Sequence, residues 1–147
     1  MGCEIIHLAC HGIQDMRNPL SSAFALYDDR LELNTLMRLS LENAELAVLS
    51  ACQTATGDEN RPEEAVHLAA GMLAIGYPSV IATMWSIGDT DAPLIADKLY
   101  ANLLEIVHSY CTATSATYAL HEAVKHLREE VGEKNFAKWV PFIHFGV

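Results

Sequence analysis

Short apolar runs along the chain alternate with longer stretches in which apolar residues recur at helical spacing. Four runs read as buried strands: Ile5 to Ala9, Leu46 to Ser50, Ser79 to Met84 and Pro141 to Phe145. The stretch from 13 to 23, with Asn18-Pro19 and Ser21-Ser22, reads as a polar loop. Ala23 to Tyr27 and Leu31 to Leu33 flank Asp28-Asp29-Arg30, the pattern of a small hairpin with an acidic turn. Asn34 or Thr35 then stands where a cap would start a short helix towards Leu41.

The polar segment Thr54 to Asn60 reads as a loop, and a long helix follows it. Asn60 with Glu63 resembles a capping box, Pro62 suits the first turn, and Gly76 is placed to stop the helix. From Ala65 to Ile75 it is apolar nearly all round, which predicts burial, and Ala69, Ala70 and Gly71 would let it approach a sheet closely. Tyr77-Pro78 turns the chain into the third strand. A further helix starts around Thr90 to Pro93, with Leu94, Ile95, Leu99, Leu103 and Ile106 as its stripe. Another follows Ser115, with Leu120, Ala123, Val124, Leu127 and Val131 as its stripe and Gly132 at its end. Strands alternating with helices predict an α/β fold with a mostly parallel, doubly wound sheet. Ile5 to Ala9 is expected at the sheet edge, beside the strand that leads to Cys52, because nothing before it is long enough to supply another strand.

That strand order directs attention to His11 and Cys52, each of which follows a short apolar run. Open α/β sheets place ligands at the carboxyl ends of their strands, so a His and a Cys at two such ends form a candidate base and nucleophile. A thiolate attacks a carbonyl well when its pKa is lowered and the nascent oxyanion is held by free backbone amides. The competing reading of Cys52 is a small buried apolar residue, and that of His11 a hydrogen-bonded core histidine. Gly12 allows the main chain to approach a substrate carbonyl. Cys10 alternates with His11 on a strand and is expected to point away from it as packing. Ser50 is an alternative nucleophile, without a Gly-x-Ser-x-Gly elbow. His7 and His11 would lie about 13 Å apart on an extended strand, which disfavours a metal pair. His67, His108, His121 and His126 fall on helices as surface or satisfied residues, and His144 reads as structural. Asp89 and Asp91, just after the third strand, either select a basic substrate side chain or cap the next helix. Trp85 is either a pocket wall or core packing.

Composition narrows the class. With 147 residues, 51% hydrophobic and 19% charged, the chain suits one globular domain. A net charge of −10, with nine scattered Lys and Arg, disfavours nucleic acid and anionic membranes as partners. No apolar run approaches the roughly 20 residues of a membrane span, and no leader pattern stands at the start. Met1-Gly2-Cys3 lacks the Ser or Thr expected at position 6 of a myristoylation site, which is Ile6. Cys3, Cys10, Cys52 and Cys111 are irregularly spaced, as expected of reduced thiols in a cytoplasmic or nuclear protein.

The segments Leu8 to Gly12, Leu46 to Thr54 and Ser79 to Asp89, taken in order, resemble the CHAT domain, a caspase-like family often attached to tetratricopeptide repeats and related to separase. The hairpin at Phe24 to Leu33, the helix at Ala65 to Ile75, Tyr118 to Ala123 and Trp139 to Gly146 resemble it too, so the likeness covers nearly all of 1–147. The resemblance implies a caspase-like three-layer α/β/α fold and peptide-bond hydrolysis by a Cys-His dyad. It makes His11 the acid–base residue, Cys52 the nucleophile, and the amides of Gly12 and Cys52 the oxyanion hole. No metal or other cofactor is implied; the partners are a protein or peptide substrate and a fused or separate repeat or sensor region. Separase cleaves after arginine, which points Asp89 or Asp91 towards a basic side chain. The family domain normally has two further strands before the histidine strand, so the chain reads as the C-terminal part of such a domain. The contrasting reading is a non-catalytic fragment or pseudoenzyme that docks partners through the open sheet edge.

Overall fold

The computed structural model describes residues 4–13, 15, 17–39, 41–50, 52–53, 63–106 and 113–146. Strand β1 (Glu4–Leu8) leads into β2 (His11–Ile13), a 3-10 turn (Pro19–Ser21), β3 (Ala23–Ala25), β4 (Arg30–Glu32) and helix α1 (Leu33–Leu36). Then come β5 (Ala44–Leu49), β6 (Cys52–Gln53), α2 (Glu63–Ala74), β7 (Ser79–Thr83), α3 (Asp91–Ile106), α4 (Ala113–Val131), α5 (Phe136–Trp139) and β8 (Phe142–Gly146).

The main sheet has the order β1-β5-β7-β8. β1, β5 and β7 are parallel, and β8 closes the sheet antiparallel to β7. β5 and β7 are buried on both faces, and successive residues serve opposite sides. Ala47, Leu49, Val80 and Ala82 pack with Leu33, Leu36, Leu68, Ala69 and Met72 of α1 and α2. Leu46, Val48 and Ile81 pack with Ile95, Leu99 and Leu103 of α3 and Leu120, Ala123 and Leu127 of α4. The architecture is therefore the three-layer α/β/α arrangement, with a mostly parallel sheet. Met72, Phe24, Leu99 and Leu127 are among its largest fully buried side chains. β1 stands at the edge, paired with β5 alone among the described residues.

A second sheet, β4-β3-β2-β6, lies beyond the ends of β1 and β5. The β3–β4 hairpin is as expected, closed by Leu26 N–H donating to Asp29 O at 2.8 Å. β2 pairs antiparallel with β3 and parallel with β6. Each long apolar run thus makes two strands: the histidine run breaks at Ala9–Cys10, and the cysteine run after Leu49.

Two helices differ from their sequence expectations. The helix expected from Asn34 or Thr35 towards Leu41 is the single turn α1, preceded by Glu32 with no side-chain cap. β4 runs straight into it, Leu33 N–H donates to Ser22 O at 2.9 Å, and Leu33 and Leu36 bury the one apolar face available. Leu39, the next leucine, is exposed. Over residues 68–74 α2 buries one side, with Leu68, Ala69 and Met72 inside and Ala70 and Ala74 exposed. The close approach at Gly71 is to Leu33 of α1 rather than to the sheet, because a Cβ there would strike the Leu33 side chain. Gly76 does end α2, at φ 118°. The capping residues Asn60 and Pro62 lie outside the described residues. Leu94 departs from the α3 stripe and is exposed, whereas Ile95, Leu99 and Leu103 are buried. Among the described residues no helix is long and apolar enough to cross a membrane.

Candidate active site

The break in the two runs is what builds the site. Ser50 N–H donates to Leu8 O at 3.1 Å, keeping β1 and β5 in register up to the break. Beyond it β2 and β6 pair again, and His11 and Cys52 are direct register partners in that parallel ladder, followed by Gly12 with Gln53. Adjacent strands run about 4.8 Å apart, so the backbones of the two residues are neighbours. Gly12 is buried and His11 exposed. The side chain of Cys52 lies outside what is described.

An open cleft of about 410 Å³ lies over this junction. His7, Cys10, His11 and Ser50 form one wall, while Ile87 and Asp89 from the loop after β7, with Ala92, Pro93 and Ala96 from the start of α3, form the other. Asp89 is the one carboxylate among the described lining residues, and none of them is Lys or Arg. Apolar walls around a few polar groups are the usual make-up of a ligand site.

His7 and Ser50 are brought together, which sequence spacing alone does not show. Ser50 Oγ and His7 Nε2 share a hydrogen bond of 3.0 Å, and the His7 ring lies against Tyr100 with centroids 5.7 Å apart. Tyr100 and the sheet edge partly bury the imidazole and lower its pKa, favouring the neutral ring. The Tyr100 hydroxyl is itself buried with no hydrogen-bond partner among the described residues, and burial raises its pKa. Cys10 also departs from expectation: it lines the same cleft as His11, because the strand breaks at Ala9–Cys10 and the alternation stops there. Burial raises the Cys10 thiol pKa, which makes it a poor thiolate at neutral pH.

Trp85 and Asp91 are not among the residues lining the cleft. The Trp85 indole N–H donates to Ala137 O at 2.9 Å. Asp91 lies in the first turn of α3, buried, with Lys138 Nζ 3.5 Å from its carboxylate. His144 accepts its structural role, with Nε2 2.7 Å from Ser79 Oγ and Nδ1 3.3 Å from Thr117 Oγ1. His121 is exposed, His126 sits 3.6 Å from Glu130 on α4, His67 falls on α2, and His108 lies outside the described residues. Among the described residues no group of three or more His, Cys, Asp or Glu is arranged to hold a metal ion.

A family model described as the CHAT domain matches residues 2–147. No curated protein matches the chain.

Proposed function

Because the chain belongs to the CHAT domain family, a caspase-like and protease-related group, we propose that it is a cysteine endopeptidase acting through Cys52 and His11. The observation that carries this reading is the register of β2 and β6, in which the two residues are direct partners. The Cys52 thiolate attacks the scissile carbonyl carbon, and the backbone amides of Gly12 and Cys52 stabilise the tetrahedral oxyanion. His11, open to the cleft, protonates the departing amine. It then takes a proton from the water that hydrolyses the acyl-enzyme.

Asp89 gives the reaction its substrate preference. Asp89 lines the cleft, and its carboxylate has no hydrogen-bond or ion-pair partner among the described residues, so a substrate Arg or Lys would supply the missing charge. The aliphatic stem of such a side chain suits Ala92, Pro93 and Ala96. The substrate is therefore a protein or peptide cleaved after a basic residue, and a repeat or sensor region, fused or separate, is the expected regulator.

The position of β1 favours a second reading, a non-catalytic module. β1 stands at the sheet edge with Ile5 39% exposed, a surface on which a partner strand can add. An irreversible thiol-directed peptide probe with arginine at the reactive position separates the two. The peptidase reading expects labelling of the native chain at Cys52 and none of Cys52→Ala. Equal labelling of both, or labelling at Cys10, favours the module.

A further inference from the structure

The loop between β7 and α3 carries Asp89 into the cleft, and its two ends are tied to one small element, the α5 turn with Pro141 just before β8. Three contacts make the strap. Met84 N–H donates to Pro141 O at 2.9 Å, the Trp85 indole N–H donates to Ala137 O at 2.9 Å, and the Asp91 carboxylate meets Lys138 Nζ at 3.5 Å. Asp89 lies between the second and third of them. Ile87, buried against the α3 and α4 core, pins the same loop from inside. Gly88 O accepts the N–H groups of Asp91 and Ala92, and a Cβ at Gly88 would come within 3.2 Å of the Asp91 carboxylate, so the loop is tightly folded around Asp89.

We propose that Trp85, Asp91 and Lys138 are positioning residues that hold the Asp89 carboxylate in the cleft, through the strap to α5. This rests on the reading of Asp89 as the group that binds a basic substrate side chain. The chemistry of each contact fits the role. Asp91 is buried, and a buried carboxylate keeps its place only where a cation meets it. Lys138 is half exposed, so its stem reaches from α5 without itself entering the core. The Trp85 ring N–H needs an acceptor, and Ala137 supplies one on the residue before Lys138. The two side chains that flank Asp89 are thus tied to adjacent residues of one helical turn. A carboxylate that must meet a cation within a fraction of an ångström gains from such support, whereas an unstrapped loop would let it swing towards water.

The test compares peptides bearing arginine or the neutral norleucine at the cleaved position, using the full chain. Lys138→Ala should lower the arginine-over-norleucine ratio of kcat/KM by about tenfold, through KM, as expected when a binding group is displaced rather than removed. Lys138→Arg should restore it, Trp85→Phe should reproduce the loss, and in an Asp89→Asn background Lys138→Ala should change nothing further. If Asp89→Asn keeps the arginine preference, the carboxylate reading and this inference fall together. If Asp89→Asn loses it while Lys138→Ala and Trp85→Phe keep it, the inference alone falls. Hydrogen exchange of the 85–91 amides gives a readout without turnover: faster exchange in Lys138→Ala and Trp85→Phe supports the strap, and unchanged protection overturns it.

Discussion

His7 Nε2 and Ser50 Oγ share a 3.0 Å hydrogen bond where β1 and β5 end, while His144 Nε2 meets Ser79 Oγ at 2.7 Å in the same sheet. Burial lowers the pKa of both imidazoles from 6.5. As pH falls below that value the unfolded chain takes up protons that the folded rings resist, so the free energy of unfolding declines. It levels off once the folded rings are protonated as well. Urea unfolding between pH 7.5 and 5 should show this decline. His7→Asn and His144→Asn should each flatten the slope; an unchanged slope in both would remove these rings from the acid sensitivity.

The direct pairing of His11 with Cys52 makes the two act as a unit. Cys52→Ala and His11→Ala should each reduce peptide hydrolysis by about 10² to 10⁴-fold, and the double variant should be little worse than either alone. Steady-state kinetics on one peptide would decide. Losses that multiply would mean that the residues contribute separately.

Much of this arrangement is legible in the chain. The run Leu46 to Leu49 is apolar at every position and Ser79 to Thr83 at all but its two ends, and they form the two strands buried on both faces. Gly76 marks the helix end because no neighbour is needed to explain its backbone. What stays hidden depends on contacts distant in sequence. The Asp91 to Lys138 ion pair spans 47 residues, and no local pattern distinguishes it from a capping or pocket carboxylate. The break at Ala9–Cys10 is equally silent, since Leu8 to Gly12 contains neither proline nor charge. Yet that break turns Cys10 into the cleft and makes His11 begin a second sheet.

Gly71 offers a test of how α1 and α2 pack. An alanine would gain about 1 kcal/mol of helix propensity, but its Cβ would strike the Leu33 side chain, which is buried and has little room to move. Gly71→Ala should therefore be destabilising by about 1 kcal/mol, and in a Leu33→Ala background the same change should be stabilising. Denaturant midpoints of the four proteins give the coupling directly. A stabilising Gly71→Ala in the native background would show that Leu33 repacks freely.

Gly146 and Gly76 both have positive φ, at 131° and 118°, but their surroundings differ. A Cβ on Gly76 meets nothing within 4 Å, so Gly76→Ala should cost only the backbone strain, about 1 to 3 kcal/mol. A Cβ on Gly146 would collide with the Pro78 carbonyl oxygen and press on Ser79 Cα. Those atoms cannot withdraw. Ser79 is fully buried and pairs with Leu46 on one side and Gly146 on the other, so the clash must be relieved by moving β8. Gly146→Ala should thus lose about 1 to 3 kcal/mol more than Gly76→Ala. It should also speed hydrogen exchange along β8, where Phe145 pairs with Val80. Equal losses in the two variants, with β8 protection intact, would mean that the last residue of the strand lifts away from β7 without disturbing its neighbours.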